Sequence, residues 1–375
     1  MEKKYIVSGV DISKDTFDAT LLDLRNSEDA IVNRGQHEKF KNDKKGFKAF
    51  LKWMKKLTGI KDFSQVIVCA EDTGSYSLGL ANFLHANGVF MWLEWALRIQ
   101  RSSGITRGKD DKYDSFVIAE YACRYQDRAI RYEPESKLIA ALRSLFLHRQ
   151  YIVEERKRVS TRCKHLKEYK KATGTASRVL QHEQALIKLL DKQVKECEAE
   201  ILELVASDDE IKQTYDNITS IKGVGLVNAI AFIVYTNNFK GFDGNPRRIA
   251  TYWGVAVFKH ESGTSVKGKT KTSPLCSRAL KSLITEAAKA AILFEPRFRD
   301  YYQSLISRGK LHGVAMNNVK NKIIHIVTAL AVNNTKFSKT YEEDRILAKQ
   351  HNGELINRKE ANCIKNGYES RQNAW

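Results

Sequence analysis

The sequence predicts an α/β part followed by an α part: a mixed sheet with flanking helices, then a coiled-coil hairpin and a mainly helical C-terminal domain. Short apolar runs open the chain and then alternate with segments of helical periodicity. Apolar residues at heptad spacing follow over residues 137–205, and the pattern of residues 211–335 is mostly helical. Each pattern is typical of the element that it predicts.

Residues 1–135 are predicted to form the α/β domain. Lys4–Val10 and Thr16–Leu22 are apolar-rich and separated by a short polar turn, as in a β-hairpin, and Ala30–Gly35 could add a third strand. The next elements are predicted to be helix Gly46–Leu57, strand Gln65–Ala70, helix Ser77–Ala86, strand Val89–Leu93 and helix Tyr113–Tyr125. A meander followed by alternating strands and helices indicates a mixed sheet.

Residues 136–210 are predicted to form a coiled coil. The first heptad seam is interrupted at Arg149 and Arg156, and a polar break at Lys171–Ser177 precedes a second seam. The first helix is basic, with 10 Lys and Arg against 3 Asp and Glu in residues 143–171, whereas residues 178–210 have 4 against 9. Opposite charges favour an antiparallel hairpin. The helices could instead pair with another chain, and the sequence leaves both arrangements open.

Residues 211–335 are predicted to be a helical domain, with a polar, loosely ordered segment at 336–375. Gly223 and Gly225 precede the apolar helix Leu226–Tyr235, as in a helix-hairpin-helix turn whose backbone N–H groups bind a phosphate. An ordinary glycine turn between packed helices explains the pattern equally well. The Gly- and Lys-rich residues 260–272 are expected to form a loop.

The charge indicates a polyanionic partner. The net charge is +19 over 375 residues, and residues 236–330 alone hold 16 Lys and Arg against 5 Asp and Glu. No apolar run approaches the ~18 residues of a membrane span, and the N-terminus does not resemble a signal peptide. Nucleic acid is therefore favoured over a membrane. The six cysteines are scattered without a CxxC pair, so we expect neither a zinc site nor disulfides, and a reducing cytoplasm.

Four acidic residues are predicted to converge. Asp11 follows the opening apolar strand, and Glu71 follows a second buried strand. Asp111 and Asp114 lie three apart at the start of an apolar helix and so share one face. Two carboxylates ~4 Å apart repel by about 4 kcal/mol at an effective dielectric of 20. Mg²⁺ would relieve this repulsion and also binds phosphate oxygens, so the pattern indicates a metal-dependent phosphodiester-handling domain.

Four motifs occur in the order that is found in one family. Residues 10–14 (VDISK), 71–76 (EDTGSY) and 109–114 (KDDKYD) resemble the three acidic motifs of the DEDD-type insertion-sequence transposases. Gly254-Val255-Ala256 and residues 260–268 (HESGTSVKG) resemble the second signature of the same family. These enzymes are the bridge-RNA-guided recombinases. The resemblance covers roughly residues 4–335, and four short motifs in order are far more specific than any one of them.

The resemblance implies a fold, a site and partners. The N-terminal domain would be RuvC-like, of the ribonuclease-H type, with a tetrad of Asp11, Glu71, Asp111 and Asp114 holding Mg²⁺ or Mn²⁺. Ser262 would attack a DNA phosphate and form a phosphoserine link. A noncoding bridge RNA would pair with double-stranded target and donor DNA, and a homo-oligomer, a dimer of dimers, would build composite sites. The sequence departs from the family pattern at Asp72, which replaces a small residue, and in its longer final segment.

The chemistry of the basic segment agrees with this implication. A serine hydroxyl is a weak nucleophile that needs a base or a metal, and no base for Ser262 is certain from the sequence. We expect phosphate contacts from Lys267, Lys269, Lys271 and Arg278, which fix position rather than sequence. Trp92, Trp95 and Trp253 could stack on bases, although core packing is commoner for tryptophan.

Two other functions stay open from the sequence. The first is a metal-dependent junction-resolving nuclease in which water attacks the phosphate and Ser262 is structural. The second is a non-catalytic scaffold that binds RNA or DNA. The intact tetrad argues against the scaffold, because four clustered and mutually repelling acids have no structural advantage. A covalent protein–DNA adduct would distinguish the recombinase from the nuclease.

Overall fold

The computed structural model describes residues 5–25, 31, 35–104, 110–262 and 266–338. It divides into two compact units, Met1–Pro134 and Glu135–Trp375. The domain boundaries predicted from the sequence at 135, 210 and 335 stay a prediction. Among the described helices, none combines the length and apolarity that are needed to cross a bilayer.

The first unit contains a five-stranded mixed sheet in the order β3-β2-β1-β4-β5. Its strands are β1 (Ile6–Ile12), β2 (Thr16–Asp23), β3 (Gln36–Lys41), β4 (Val66–Glu71) and β5 (Phe90–Glu94). The first three strands are antiparallel neighbours, and β4 and β5 run parallel to β1. This arrangement confirms the mixed sheet and the ribonuclease-H-type fold class.

The third strand begins where the predicted one ends. Ala30–Gly35 was expected to form it, but only residues 31 and 35 of that segment are described, and neither is in a strand. The strand at Gln36–Lys41 lies at the edge of the sheet, and only Phe40 of its six residues is buried. A strand at the edge of a sheet has a neighbouring strand along only one of its two long sides. The other side is open to solvent, so such a strand can be largely polar.

Helices cover both faces of the sheet. On one face lie α1 (Lys44–Thr58) and α2 (Ser75–Ala86), which enclose an apolar core around Phe17 and Phe50. On the other face lie α3 (Ala96–Ser102) and α4 (Asp111–Arg124), which pack around Trp92. Burial on both faces explains why β1 and β4 are continuous apolar runs.

Gly9 lets α4 lie directly on β1. A Cβ atom at Gly9 would come within 2.1 Å of the Ala119 backbone nitrogen and 2.3 Å of the Ser115 carbonyl oxygen. Asp111 and Asp114 lie in the first turn of α4, just before Ser115. The close contact at Gly9 therefore places the start of α4 near the end of β1, where Asp11 lies. A buried hydrogen bond of 2.7 Å between the Thr20 and Ser115 hydroxyls fixes the same contact to β2.

The second unit opens with a long helical hairpin, α5 (Lys137–Thr173) and α6 (Ser177–Ala206). The helices pack on each other within one chain, which confirms the predicted hairpin. The two arginines that interrupt the heptad seam form ion pairs across it: Arg149 lies 2.6 Å from Glu198, and Arg156 contacts Asp191. Opposite charges on the two helices therefore join them, as their composition predicts.

The rest of the second unit is mainly helical, with one β-hairpin. Its elements are α7 (Asp209–Thr219), α8 (Leu226–Tyr235), α9 (Pro246–Tyr252), β6 (Val257–Ser262), β7 (Val266–Thr272), α10 (Arg278–Phe294), α11 (Pro296–Ser307) and α12 (His312–Val332). Trp253 is fully buried and stacks on Phe232 at 4.2 Å between ring centroids. Trp92 is also buried, so of the three tryptophans considered for base stacking only Trp95 is exposed.

Candidate active site

Carboxylates meet at one edge of the sheet in the first unit. Asp11 lies near the end of β1, and Glu71 ends the parallel neighbour β4. Asp111 and Asp114 are in the first turn of α4, which begins after Asp110. Strands that run in parallel end at the same edge of a sheet, and ligand sites of α/β sheets lie at that edge.

The charges of the other three predicted residues, Glu71, Asp111 and Asp114, act on Asp11. The pKa of its carboxyl group rises from 3.8 to about 6, first because the group is partly buried and then because Glu71, Asp114, Asp111 and Asp18 repel its negative charge. Burial and like charges both disfavour an ionised carboxyl. The structure therefore brings the predicted tetrad within electrostatic range of one point, which is a property of functional sites.

The carboxylate side chains do not form a complete set of metal ligands. Within the described residues, no three His, Cys, Asp or Glu side chains lie close enough together to hold a metal ion. The Lys39 ammonium instead lies 3.1 Å from an Asp18 oxygen and 3.8 Å from an Asp111 oxygen, where it offsets part of the negative charge. The donors themselves, oxygen atoms of several carboxylates, fit a hard cation such as Mg²⁺.

Asp18 is a fifth acidic residue that the sequence analysis did not identify. It pairs directly with Asp11 across the β1–β2 hairpin, is only 6% exposed, and contacts His37 at 3.0 Å. The signal was present: a hairpin with Ser13–Asp15 as its turn places residue 18 opposite residue 11. Glu94, which pairs with Glu71, was also missed; it is buried and accepts a hydrogen bond from the Tyr121 hydroxyl at 3.0 Å.

Two other acidic residues near the tetrad have local structural roles. Asp110 caps α4 by accepting a hydrogen bond from the Lys112 backbone N–H. Asp72, the departure from the family motif, is exposed and accepts from the Gly74 backbone N–H at 3.1 Å. Asp18 rather than Asp72 is thus the additional carboxylate that acts on Asp11.

Ser262 lies on a strand, which corrects the expectation of a loop over residues 260–272. It ends β6 and pairs with Val266 of β7, while its side chain and those of Lys267 and Lys269 lie outside the described part of the chain. The pairing of β6 with β7 shifts register between Phe258, which lies opposite Lys271, and His260, which lies opposite Gly268. Lys271 and Arg278 are exposed. Glycine and lysine favoured a loop by composition, but antiparallel pairing satisfies the backbone of both segments.

The two glycines of the predicted phosphate-binding turn differ in their surroundings. Gly223 has a φ of +98°, and a Cβ atom there would come within 2.4 Å of the Ala291 backbone nitrogen in α10. Tight packing on α10 therefore explains Gly223. Gly225 precedes α8 and has open space around it. A phosphate contact by Gly225 stays a prediction.

Two family models match the chain in the regions that hold these sites. Residues 8–170 match the IS110-type DEDD model, described as a transposase, and residues 215–303 match the model described as transposase IS116/IS110/IS902 family. The chain belongs to the IS110 family of transposases. The first match includes the four tetrad residues, and the second includes Ser262. Family membership thus agrees with the resemblance found in the short motifs.

A curated relative supports the same family over a shorter range. The insertion element IS110 uncharacterized 43.6 kDa protein of Streptomyces coelicolor is 29% identical to this chain over 113 residues. The aligned part is 30% of this chain and spans 27% of the length of that relative.

Proposed function

We propose that this IS110-family chain is an RNA-guided, site-specific DNA recombinase that cuts and rejoins DNA through a phosphoserine intermediate. The main supporting observation is that the other three motif carboxylates, Glu71, Asp111 and Asp114, act on Asp11 and help to raise its pKa to about 6. The second unit adds a basic β-hairpin that ends one strand at Ser262. These are the two chemical parts that such a reaction requires: an acidic metal centre and a nucleophile among cations.

In this proposal, Asp11, Glu71, Asp111 and Asp114 hold Mg²⁺, or Mn²⁺ in its place. When bound, the cation supplies Lewis acidity to a phosphate oxygen and lowers the pKa of a coordinated hydroxyl. Asp18 adds a fifth negative charge that favours cation binding, and Lys39 shares its own charge between Asp18 and Asp111. We expect Lys39 to move its charge to a DNA phosphate once a cation neutralises the acids.

Double-stranded target and donor DNA are the proposed substrates. The predicted phosphate contacts fall in the basic region of residues 236–330, where the exposed Lys271 and Arg278 flank the segment between β7 and α10. Such contacts fix the position of the backbone without reading sequence. A guide RNA that pairs with both the target and the donor DNA would supply the specificity.

The proposed activity can be tested by reconstitution. Purified protein is combined with Mg²⁺, RNA transcribed from the noncoding DNA beside the gene, and two plasmids that carry the ends of the element and a target. Recombinant junctions are then sequenced. We expect junctions only with RNA and metal present, and retargeting when the guide is changed. Junctions that form without any RNA would contradict guidance.

A cleft in the first unit supports a single-stranded RNA partner. It has a volume of about 550 Å³ and is lined by Arg98, Arg101, Ser102, Tyr121, Tyr125 and Arg128. The Arg128 guanidinium lies 4.7 Å from the centroid of the Tyr125 ring. Aromatic rings and guanidinium groups bind unpaired bases and phosphates together, and protein recognition of RNA favours such unpaired segments.

The Arg101→Glu variant is expected to bind a single-stranded RNA 20-mer about tenfold more weakly than the parent, because a repulsive charge replaces an attractive one. Affinity for a blunt RNA duplex of equal length should change little, since paired bases do not enter the cleft. Fluorescence anisotropy measures both. Lys48→Glu makes a matched charge reversal on α1, which covers the opposite face of the sheet. An equal loss in both variants would contradict a role for this cleft.

We also propose that the chain forms a homo-oligomer, a dimer of dimers, through the outer face of the α5–α6 hairpin. The seam residues Leu190 and Ile201 are buried within the chain and are unavailable to a partner. The outer surfaces of the hairpin instead expose Tyr151, Val179 and Leu189, with Tyr151 66% exposed. A second copy would remove such apolar side chains from water.

Leu189→Glu should therefore lower the mass of the assembly without unfolding the chain, because the side chain is half exposed. Light scattering on the complex with RNA and DNA measures the mass, and circular dichroism checks the helices. Lys188→Glu, at the neighbouring exposed position, is the control and should leave the mass unchanged. A Leu189→Glu variant with the parent's mass and activity would exclude this face from assembly.

A further inference from the structure

Lys320 is a buried lysine with no acidic partner in the described part of the second unit. It lies on α12 among Val319, Ile323 and Ile324, and only 8% of its surface is exposed. Its Nζ donates to the Thr285 hydroxyl at 3.4 Å. Lysine is seldom buried without a carboxylate, because removing an ammonium group from water is costly.

A second lysine lies beside it. Lys281 of α10 donates from Nζ to the Thr272 hydroxyl at 3.0 Å, and the Thr285 hydroxyl donates to the Lys281 carbonyl oxygen at 2.7 Å. Burial, and then repulsion by Lys281, lower the pKa of Lys320. No carboxylate contributes to this shift. The two ammonium groups thus repel each other, and each donates to an uncharged hydroxyl group, that of Thr272 for Lys281 and that of Thr285 for Lys320.

The N-terminus of α10 adds a partial positive charge near the two lysines. Lys281 is four residues into α10, which Ser277 caps and Arg278 begins, and the first turn contains no acidic residue. The N-terminus of a helix carries a partial positive charge, so cations there are unfavourable and anions are favourable. Stability alone gives no reason for this concentration of positive charge, whereas an anion bound by both lysines would offset part of it.

We propose that the ammonium groups of Lys281 and Lys320 together bind one backbone phosphate of duplex DNA, at a distance from the phosphate that Ser262 attacks. The location identifies the anion. Thr272, the partner of Lys281, ends β7 and pairs with Val257, five residues before Ser262 on β6. At ~3.3 Å per residue the hairpin separates the two points by about 17 Å. Phosphates of one strand repeat every ~3.4 Å along the duplex axis, so the bound phosphate lies about five base pairs from the cut.

This inference rests on the proposed function only for what happens at Ser262. The lysine pair would hold the duplex at the base of the β6–β7 hairpin, while the serine acts near its tip. Each lysine is then a positioning residue rather than a catalytic one. Its loss should weaken DNA binding itself, which can be measured without any chemical step.

The test uses the full-length protein and the double variant Lys281→Met/Lys320→Met, because methionine fills a similar volume without charge. Binding to a 30-base-pair duplex is followed by fluorescence anisotropy over a range of salt concentrations. The slope of log K against log salt should fall by about 0.9, the value for one lost phosphate contact on duplex DNA. Affinity near 150 mM salt should fall about tenfold, as expected for a charge-assisted hydrogen bond.

Lys289→Met is the matched control. Lys289 is exposed on the same helix, where it pairs with Glu286 at 2.9 Å, so its removal should leave the slope unchanged. The thermal midpoint of Lys320→Met should equal or exceed that of the parent, because an unpaired buried charge is removed. If the double variant does not fold, the single variant Lys281→Met, whose side chain is only partly buried, provides the slope measurement.

Different outcomes separate this inference from the proposed function. An unchanged slope in the double variant would overturn the phosphate site and leave the recombinase proposal intact. A lowered slope without any serine adduct in the parent would leave the phosphate site intact and overturn the recombinase proposal. If the slope falls only with an RNA hairpin in place of duplex DNA, the assignment to DNA is wrong. A uniform loss that Lys289→Met shares would also overturn it.

Discussion

The Asp11→Asn variant is expected to lose strand exchange and, without metal, to unfold at a higher temperature than the parent at pH 7.5. Asp11 is partly buried and is repelled by Glu71, Asp114, Asp111 and Asp18, and these effects raise its pKa to about 6. Asparagine keeps the shape of the side chain but removes the charge. We expect activity to fall at least about 100-fold, since even residues that only support a metal ligand contribute 10–100-fold.

The direction of the stability change follows from the raised pKa. Between pH 3.8 and about 6, the folded state holds the Asp11 proton more tightly than the unfolded state. The stability of the metal-free protein therefore falls as pH rises through this range, and the loss is complete above pH 6. For this partly buried group we expect a difference on the order of 1–2 kcal/mol after allowance for solvent screening. The unfolding midpoint should rise by a few degrees in Asp11→Asn.

A divalent cation should reverse this order. Mg²⁺ neutralises the repulsion around Asp11, so it should raise the midpoint of the parent at pH 7.5 and have a smaller effect on Asp11→Asn. Differential scanning fluorimetry with and without Mg²⁺ measures both. Glu71→Gln, Asp111→Asn and Asp114→Asn should also lose activity, because each removes one proposed ligand.

Asp72→Asn is the matched control. Asp72 is exposed, and asparagine retains the oxygen that accepts from the Gly74 backbone N–H. Activity, midpoint and response to Mg²⁺ should all stay close to those of the parent. Full recombination in Mg²⁺ by any one of the four tetrad variants would refute the assignment of the tetrad.

The elements that could be predicted from the sequence are those whose buried residues follow a regular pattern along the chain. β1 and β4 are covered on both faces, so each is a continuous apolar run, and both strands were located to within a residue or two. The α5–α6 hairpin was predicted because heptad spacing and opposite charges both indicated it. Even its irregular positions, Arg149 and Arg156, have a physical meaning that appears only when their partners are known.

Other features could not be predicted because their signals depend on tertiary contacts. β3 is an edge strand with a polar sequence. Residues 260–272 are rich in glycine and lysine, which indicated a loop, although most of them belong to the paired strands β6 and β7. Asp18 was missed because the predicted first strand stopped at Val10. The strand in the structure extends to Ile12, and its residue Asp11 lies directly opposite Asp18 of β2. Nothing in the periodicity of α12 shows that Lys320 is buried, since lysine on an apolar face usually extends its charge to solvent.

The second large effect is expected at Ser262: its hydroxyl becomes covalently attached to a DNA 5′ phosphate during the reaction. The serine oxygen forms a bond to phosphorus, the bond from phosphorus to the 3′ oxygen breaks, and that oxygen leaves as a 3′ hydroxyl. Attack by the 3′ hydroxyl of another strand then restores the phosphodiester and frees the serine. The energy of the broken bond is retained, so rejoining requires no ATP. Residues 263–270 (GTSVKGKT) match the GxxxxGK[ST] pattern, but Val266–Thr272 form a strand and not the start of a helix, so these residues do not have the strand-to-helix context of a nucleotide-binding loop.

Ser262→Ala should therefore bind RNA and DNA like the parent but form neither adduct nor recombinant product. Its carboxylate tetrad and the basic residues Lys267, Lys269, Lys271 and Arg278 remain, so binding is retained while the attacking oxygen is lost. The measurement is a denaturing gel of a labelled suicide substrate, on which a covalent adduct migrates with the protein. Asp11→Asn should also give no adduct, because the proposed metal no longer assists the attack.

Ser265→Ala tests whether the correct hydroxyl has been chosen. Ser262 ends β6, while Ser265 lies in the connection to β7, outside the described residues. Both serines lie in a segment rich in Gly, Ser and Thr, so composition alone does not distinguish them, and the choice of Ser262 rests on its position in the family signature. An adduct that persists in Ser262→Ala but disappears in Ser265→Ala would show that the nucleophile is Ser265. If the parent cuts DNA without forming any adduct, water is the nucleophile, and the first unit acts as a metal-dependent junction-resolving nuclease to which Ser262 contributes only structure.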